Sequence, residues 1–532
     1  MFTELAGLPE NWGQICIVGA GPVGLSLAIS LARQGTRVII LESGRQWRTT
    51  RAQALSALAH FDPEYHGHSE QTVVRAVGGA SLRWGGRCVE LDDIDFARRD
   101  HVPEASWPIG HEELRRYYEP ARHMLTADLE PNDRAAATGA ANSLETWARL
   151  RNTARAHRLS LRDMCNIAII RDCTVTDLKV DPEHAAITAL ECMVHGTRHV
   201  VEAPAFVLAA GGRENARLLM ETQLSHQRMF GGTDGPLGRN YMGHLTGQIA
   251  TVSFTTAQAA ERYFFKLSRT GTVFRNRLQP SDATQQRLAL ANIVFWPDSP
   301  RPDEVIPGNG AGSLLHLLRH AIADIRHPTR RHSLSAKGVM ADHLRNAVAN
   351  PWRTLAEGSR MAWRKAMPGD APQSRLISPT NTYLLRYHAE QLPNARSRVT
   401  LSDRRDENGC RRLDVDFRYR GEDFTSVVRA HEAMDARLRR NGEGRLSMLK
   451  PRESLEDWIN TQALDGYHQI GLTPMSATAR TGIVDKDCRV HDLRNLFVAG
   501  SSIFPTSGQA NPTLPAVAFA LRLADHLAAS FT

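Results

Sequence analysis

Residues 15–42 read ICIVGAGPVGLSLAISLARQGTRVIILE. The opening ICIV is a short apolar run of the kind that forms a strand buried on both faces of a parallel sheet. It enters Gly19-Ala20-Gly21-Pro22-Val23-Gly24, after which LSLAISLARQG carries apolar residues at helical spacing and stops at Gly35. A second strand, TRVIILE, ends on Glu42. The three glycines have separate tasks: a tight turn at Gly19, close approach of backbone to a pyrophosphate at Gly21, and close helix–strand packing at Gly24. The helix N-terminus adds free N–H groups and partial positive charge for a phosphate, and Glu42 stands where a carboxylate accepts ribose hydroxyls. Strand, loop, helix, strand and acid in this order predict a Rossmann-like dinucleotide-binding domain. The competing reading, a glycine-rich turn in an unrelated α/β protein, makes Glu42 a coincidence. The motif alone does not separate FAD from NAD.

Further along, residues 77–88 read VGGASLRWGGRC. Gly78, Gly79, Gly85 and Gly86 let the backbone press against a flat ligand, with Ser81 between the pairs and Trp84 able to lie near a ring system. The competing reading of the segment taken alone is a surface loop with a buried tryptophan. The loop resembles the flavin-contacting segment of the glucose–methanol–choline (GMC) oxidoreductase family, above all its pyranose-oxidase-like and bacterial sugar-oxidising branches. So do LDDIDFARRDHVPEASWPIGHEELRRYYEPA at 91–121 and FVLAAGGRENARLLM at 206–220. The resemblance implies FAD. Pyranose oxidases attach flavin covalently through a histidine just before the loop's tryptophan; that position is Arg83, so the resemblance implies non-covalent FAD.

The third informative segment starts at YHQIGLTPM and runs through NLFVAGSSIFPTSGQANPTLPAVAFALRLADHL. NLFV reads as another buried strand, Gly500-Ser501-Ser502 as a turn, and Leu514, Val517, Ala518, Leu521 and Ala524 as one stripe of a long helix. By the resemblance, His468 and Asn511 are the His/Asn pair that faces the flavin, Gly500 and Ser501 belong to the cofactor site, and Val175 lies near the adenine. The chemistry suits the pair. Oxidising a carbinol removes a hydroxyl proton and a carbon-bound hydride; a neutral imidazole accepts the proton, and an amide N–H positions the same oxygen. With 22 histidines in the chain, an arbitrary one is structural or exposed, and only its segment singles out His468. Asn511 is also well placed to cap the following helix. His491 reads as a loop residue.

These pieces predict an α/β protein, α+β overall. The FAD-binding domain is discontinuous (1–100, 160–243 and 458–532), a helical connection spans 100–160, and a substrate domain on an antiparallel sheet flanked by helices occupies 244–457. Residues 165–205 read as a β-meander, and 390–420 as a hairpin around an Asp/Asn/Gly turn. The function implied is oxidation of a secondary hydroxyl of a sugar, glycoside or sugar-like natural product, a small-molecule substrate. Two other readings are a partner-dependent FAD-binding subunit and a flavin monooxygenase of aromatic-hydroxylase type. The latter shares the GAGPVGLSLA opening but has a GD-containing motif where AGSSIFPTSG stands here.

Bulk properties set the remaining bounds. The 532 residues, 42% hydrophobic and 23% charged, suit two or three soluble domains. No apolar run reaches eighteen residues, and the N-terminal residues lack a basic leader and cleavage site, so a cytoplasmic protein is expected. That compartment favours a dehydrogenase over an oxidase, although no linear motif reports the electron acceptor. Seven scattered cysteines without a CxxC pair argue against a zinc site or disulfide framework and read as buried thiols. No metal is expected. The net charge is +8, with no nucleic-acid motif beside it. Between His316 and Lys365 the cations Arg319, Arg326, Arg330, Arg331, Lys337, Arg345, Arg353, Arg360, Arg364 and Lys365 face only Asp324, Asp342 and Glu357. Leu314, Leu315, Leu318, Ala321, Ile322 and Ile325 there predict an amphipathic helix within a basic insertion near 311–366. It reads either as a solvated helical face or as a docking element for a membrane surface or an anionic carrier.

Overall fold

The computed structural model describes residues 2–9, 12–102, 106–130, 144–298, 310–326, 334–352, 354–356, 358–359, 378 and 380–531. Its first layer is a five-stranded parallel sheet in the order Leu496–Val498, Ala205–Leu208, Ile15–Val18, Val38–Leu41, Ile167–Ile170. Every residue of these strands is buried, as expected of a parallel sheet covered on both faces. The helix Pro22–Arg33 starts with proline in its first turn, where the missing N–H removes no intrahelical bond. It packs against the C-terminal helix Thr513–Phe531, which also rests on His111–Met124. One sheet and one helix pair thus take material from both ends of the chain, and Leu514, Val517, Ala518, Leu521 and Ala524 all fall in this core.

Two sequence expectations need adjusting here. Ile167–Ile170 belongs to the parallel sheet, not the meander; the meander is three-stranded, Cys173–Asp181, Ala186–Val194 and Thr197–Glu202. The reason is the run IAII itself, apolar on both faces, which an open antiparallel edge does not require. Within 100–160, the strand Leu144–Trp147 stands beside the helices. It joins Arg87–Cys88, Val273–Asn276 and Lys266–Leu267 in a four-stranded antiparallel sheet.

The second large layer is antiparallel: Ile293–Asp298, Thr382–Glu390, His244–Phe254, Gly444–Met448. The helices Gly421–Arg440 and Leu455–Asn460 fill its inner face through Val427, Val428, Met434, Leu438, Leu455 and Ile459. Arg398–Arg405 and Arg411–Asp416 form the expected hairpin around the Asp406-Glu407-Asn408-Gly409 turn. In the basic insertion, Gly310–Arg326 and Leu334–Ala349 are two helices packed on each other. Their contact includes stacked His316 and His343 rings 4.1 Å apart and an Ser313–His343 hydrogen bond of 3.0 Å. Leu314 and Leu315 are half-buried and Leu318 exposed. Arg330, Arg331, Arg353, Glu357, Arg360, Arg364 and Lys365 lie outside the described residues, as do the side chains of Arg319, Ala321, Ile322, Asp324, Ile325, Arg326 and Lys337. All seven cysteines are free; six are buried, but Cys165 is exposed, against the expectation of uniformly buried thiols. Among the described residues no helix is long and apolar enough to cross a membrane.

Candidate active site

The glycine loop is built from backbone approach. A Cβ on Gly24 would stand 2.1 Å from the Gly19 carbonyl oxygen, and one on Gly79 2.8 Å from Gly21 Cα. The second glycine loop therefore lies directly against the first, and the Gly78 N–H donates to the Ala20 carbonyl (2.8 Å). Gly21 itself faces open space. Glu42 is buried, with its carboxylate accepting from the backbone N–H groups of Ala20 (2.8 Å) and Gly44 (2.7 Å). It clamps the strand end to the loop, a task beyond the one its spacing suggested, and a carboxylate with two such bonds keeps lone pairs for hydroxyl donors. Backbone cradle, helix N-terminus and buried carboxylate together fit an adenine dinucleotide.

The rest of the second loop is braced internally. The Ser81 hydroxyl donates to the Gly78 carbonyl and accepts from the Thr153 N–H, and the half-buried Trp84 indole donates to the Arg151 carbonyl (2.9 Å). Gly85 opens onto free space, while Gly86 adopts φ 75°. Arg83 is exposed and donates to the Glu70 carbonyl. Val175 is buried in the meander beside the parallel sheet. Past the last parallel strand, Gly500 (φ 129°) turns the chain so that the Ser501 hydroxyl donates to the Gln469 carbonyl (2.9 Å). The loop carrying His468 is thereby tied to the end of the sheet.

His468 and Asn511, 43 positions apart, meet here: Asn511 Nδ2 lies 3.1 Å from His468 Nε2. Arg87 Nη1 donates to Asn511 Oδ1 (2.7 Å). Because a guanidinium only donates, this bond fixes the amide so that its NH2 faces the imidazole. His468 Nε2 is then the acceptor, and the ring proton sits on Nδ1. That nitrogen lies 3.0 Å from Asp465 Oδ2 and 2.9 Å from His244 Nδ1. Asp465 is buried and also accepts from the backbone of His244, Tyr467 and His468. Burial pushes its carboxyl up, but His468 and His244 more than offset this and hold it at about 2, so it is ionised throughout the physiological range. Both ends of the Asn511 amide are thus engaged, one by Arg87 and the other by His468.

A buried ring of partners surrounds the pair. His244 opens one strand of the antiparallel sheet, and His388 lies near the end of its neighbour, their rings 4.3 Å apart. Burial drives both well below the ordinary histidine value, aided by His388 and His468 in the first case and by Arg87 and His468 in the second; both are neutral. Glu145 accepts from Arg87 on one side and Arg275 Nε (2.8 Å) on the other, and both guanidiniums lie over the Trp296 ring. Sequence reasoning found His468 and Asn511 but not Arg87, Glu145, His244, His388 or Asp465. Arg87 directly follows Gly85-Gly86, and Asp465 stands three residues before His468; those two were within reach of a spacing argument. The others come from strands far apart in the chain. His491 Nε2 lies 3.2 Å from the Ser476 carbonyl, and its backbone N–H donates to the Ile483 carbonyl (3.0 Å).

Residues 14–249 match the family model for FAD dependent oxidoreductases, and residues 393–520 match the C-terminal model of GMC oxidoreductases. Dehydrogenase eriK of Hericium erinaceus is 40% identical over 73 residues, which is 14% of this chain and 12% of that relative. Among solved structures, pyridoxine 4-oxidase from Mesorbium loti is similar with a TM-score of 0.52 at 16% identity, over 97% of this chain and 99% of that one. A fungal aryl-alcohol oxidase gives 0.54 at 14%, over 98% and 100%. At such identities these two speak for the fold alone. The two models leave residues 250–392 unmatched between them, and the chain carries an FAD-dependent oxidoreductase domain together with the C-terminal domain of GMC oxidoreductases.

Proposed function

We propose that this enzyme oxidises a secondary hydroxyl of a sugar, glycoside or sugar-like natural product to a carbonyl, with His468 as general base and Asn511 beside it. The contact of 3.1 Å between Asn511 Nδ2 and His468 Nε2 carries the reading. An alcohol oxygen that displaces this direct bond donates its proton to Nε2 and accepts a hydrogen bond from the amide. The flavin, when bound, takes the hydride; that chemistry belongs to the cofactor. The protein's part is to keep Nε2 free of a proton. Arg87 does so by holding the amide N–H toward the ring, and Asp465 by accepting from Nδ1 and stabilising the imidazolium that forms. Neutral His244 and His388 add no positive charge to oppose that imidazolium.

Gly19, Gly21, Gly24, Glu42, Gly78 and Gly79 would hold the FAD. Attachment is non-covalent in this reading, because Arg83 offers an exposed guanidinium, bonded to the Glu70 carbonyl, where a nucleophilic imidazole would be needed; acid precipitation should release all of the yellow cofactor. The activity is tested by anaerobic mixing of the holoenzyme with a panel of sugars, glycosides and simple alcohols while following the flavin absorbance. Bleaching by the sugar class is expected. Bleaching only by non-sugar alcohols would replace the substrate class, and a flavin that no alcohol bleaches would remove the proposal.

A further inference from the structure

The tautomer of His468 decides that of His244. With the His468 ring proton on Nδ1, the two Nδ1 atoms lie 2.9 Å apart and cannot both carry hydrogen. His244 Nδ1 is therefore the acceptor, and the proton of the neutral His244 ring sits on Nε2. That nitrogen is buried and has no hydrogen-bond partner among the described residues. Only 1% of the side chain is exposed. The neighbouring ring gives no relief: His388 lies 4.3 Å away, centroid to centroid, and donates from Nδ1 to the Gln509 carbonyl (2.8 Å). A buried N–H without an acceptor costs stability, so a group kept in that state calls for a role.

Given His468 as the base of the reaction proposed above, we propose that His244 is its positioning residue. The His244 Nδ1 lone pair shares the Nδ1 proton of His468 with the Asp465 carboxylate. Two acceptors meet that proton, Asp465 Oδ2 at 3.0 Å and His244 Nδ1 at 2.9 Å. The His244 backbone N–H donates to the same Asp465 oxygen (2.7 Å), so one residue braces both the proton and its other acceptor. When an alcohol gives its proton to Nε2, His468 becomes an imidazolium and its Nδ1–H a stronger donor. Both bonds strengthen as that charge develops, which favours the charged state over the ground state. Only a neutral ring can accept in this way. Burial first, then His388, His468 and Arg87, hold His244 well below the ordinary histidine value, against the pull of the ionised Asp465.

The test follows anaerobic flavin reduction in three FAD-loaded variants, using the alcohol that bleaches the wild-type enzyme. His244→Leu removes both ring nitrogens and should slow reduction by about 10- to 100-fold, the loss of one hydrogen bond to a charged group. Its FAD content should be unchanged. His244→Asn carries an oxygen on Cγ, where Nδ1 stood, and should recover most of the rate. His244→Gln carries its amide one carbon further out and should be as slow as the leucine variant, a comparison that holds even if leucine prevents folding. A leucine or glutamine variant that reduces at the wild-type rate overturns the proposal. So does an asparagine variant no faster than the glutamine one, since the ring then serves packing alone. His468→Ala keeps the two assignments apart. If it leaves the rate unchanged, the base itself is misassigned; a slow His468→Ala beside a fast His244→Gln removes only the role of His244.

Discussion

The two halves of the active site are made of different material. At the dinucleotide end the contacts are backbone: Gly24 against Gly19, Gly79 against Gly21, Gly78 N–H on the Ala20 carbonyl. One side chain, the Glu42 carboxylate, closes it. At the catalytic end nearly everything is side chain: Arg87, Asn511, His468 and Asp465 in one hydrogen-bonded line, flanked by His244, His388 and Glu145. A backbone site tolerates no added atom but hardly depends on protonation. A site of buried ionisable side chains has space defined by rotamers and depends on protonation throughout. Damage to the first should appear as lost cofactor; damage to the second should spare the cofactor and slow the chemistry.

The largest expected effect is on the catalytic side. His468→Ala should lower the rate of flavin reduction by about 10²–10⁴-fold, the range for loss of a general base, with FAD still bound. Rapid-mixing absorbance measures this, and an unchanged rate would take His468 out of the mechanism.

Acid should separate the two halves next. His244 and His388 are held well below the usual histidine value by burial first, and His66 (about 3) and His431 (about 4) behave alike. For each, the folded state prefers the neutral ring, so its stabilising contribution is full above the unfolded value near 6.5 and is lost as the pH falls below it. Two carboxyls pull the other way: burial raises Asp95 to about 8 and Asp423 to about 7, so both favour folding as the pH falls. Four against two leaves a net loss on the order of 3 kcal/mol over the whole interval from pH 6.5 to 5, steepest at its acid end where the unfolded histidines are fully protonated. Urea midpoints at pH 6.5 and 5 check this; a midpoint that does not move would show that the buried histidines are paired by protonation rather than kept neutral.

On the cradle side, Gly24→Ala puts a methyl 2.1 Å from the Gly19 oxygen. About 3 kcal/mol of overpacking corresponds to an FAD affinity weakened roughly 100-fold, seen as flavin lost on gel filtration. If the variant kept its cofactor and instead reduced slowly, the division between the two ends would break down. Arg87→Met is the finer probe. It removes a charged hydrogen bond from Asn511 and frees the amide to turn its oxygen toward His468, and should slow reduction by about 10- to 100-fold. A fall in FAD content with an unchanged reduction rate would move Arg87 from the catalytic line to the cradle.

Legibility in the sequence follows the same division. The first loop of the cradle, with its strands and helix, lies within 28 consecutive residues, and each step in it is local: apolar run, glycines at fixed offsets, helix periodicity, acid at the next strand end. Ile167–Ile170 was misplaced because neighbouring strands made it look like part of a meander, although its unbroken apolar run already pointed to a parallel sheet. His468 and Asn511 were identifiable through the segments that carry them, but their partners were not. Arg275, Glu145 and His388 sit on strands whose local pattern says only that one face is buried, and a buried arginine reads in sequence like any surface arginine.

The sequence determined the cofactor fold, because short-range periodicity and glycine placement act within a strand–loop–helix unit, and it singled out His468 and Asn511 through the segments that carry them. Only the tertiary structure decided which nitrogen of His468 is free to take a proton. That choice depends on Arg87 orienting Asn511 across 424 positions of chain and on Asp465 accepting from the opposite side of the ring. Hydrogen-bond direction is a property of groups brought together in space, and no linear spacing encodes it.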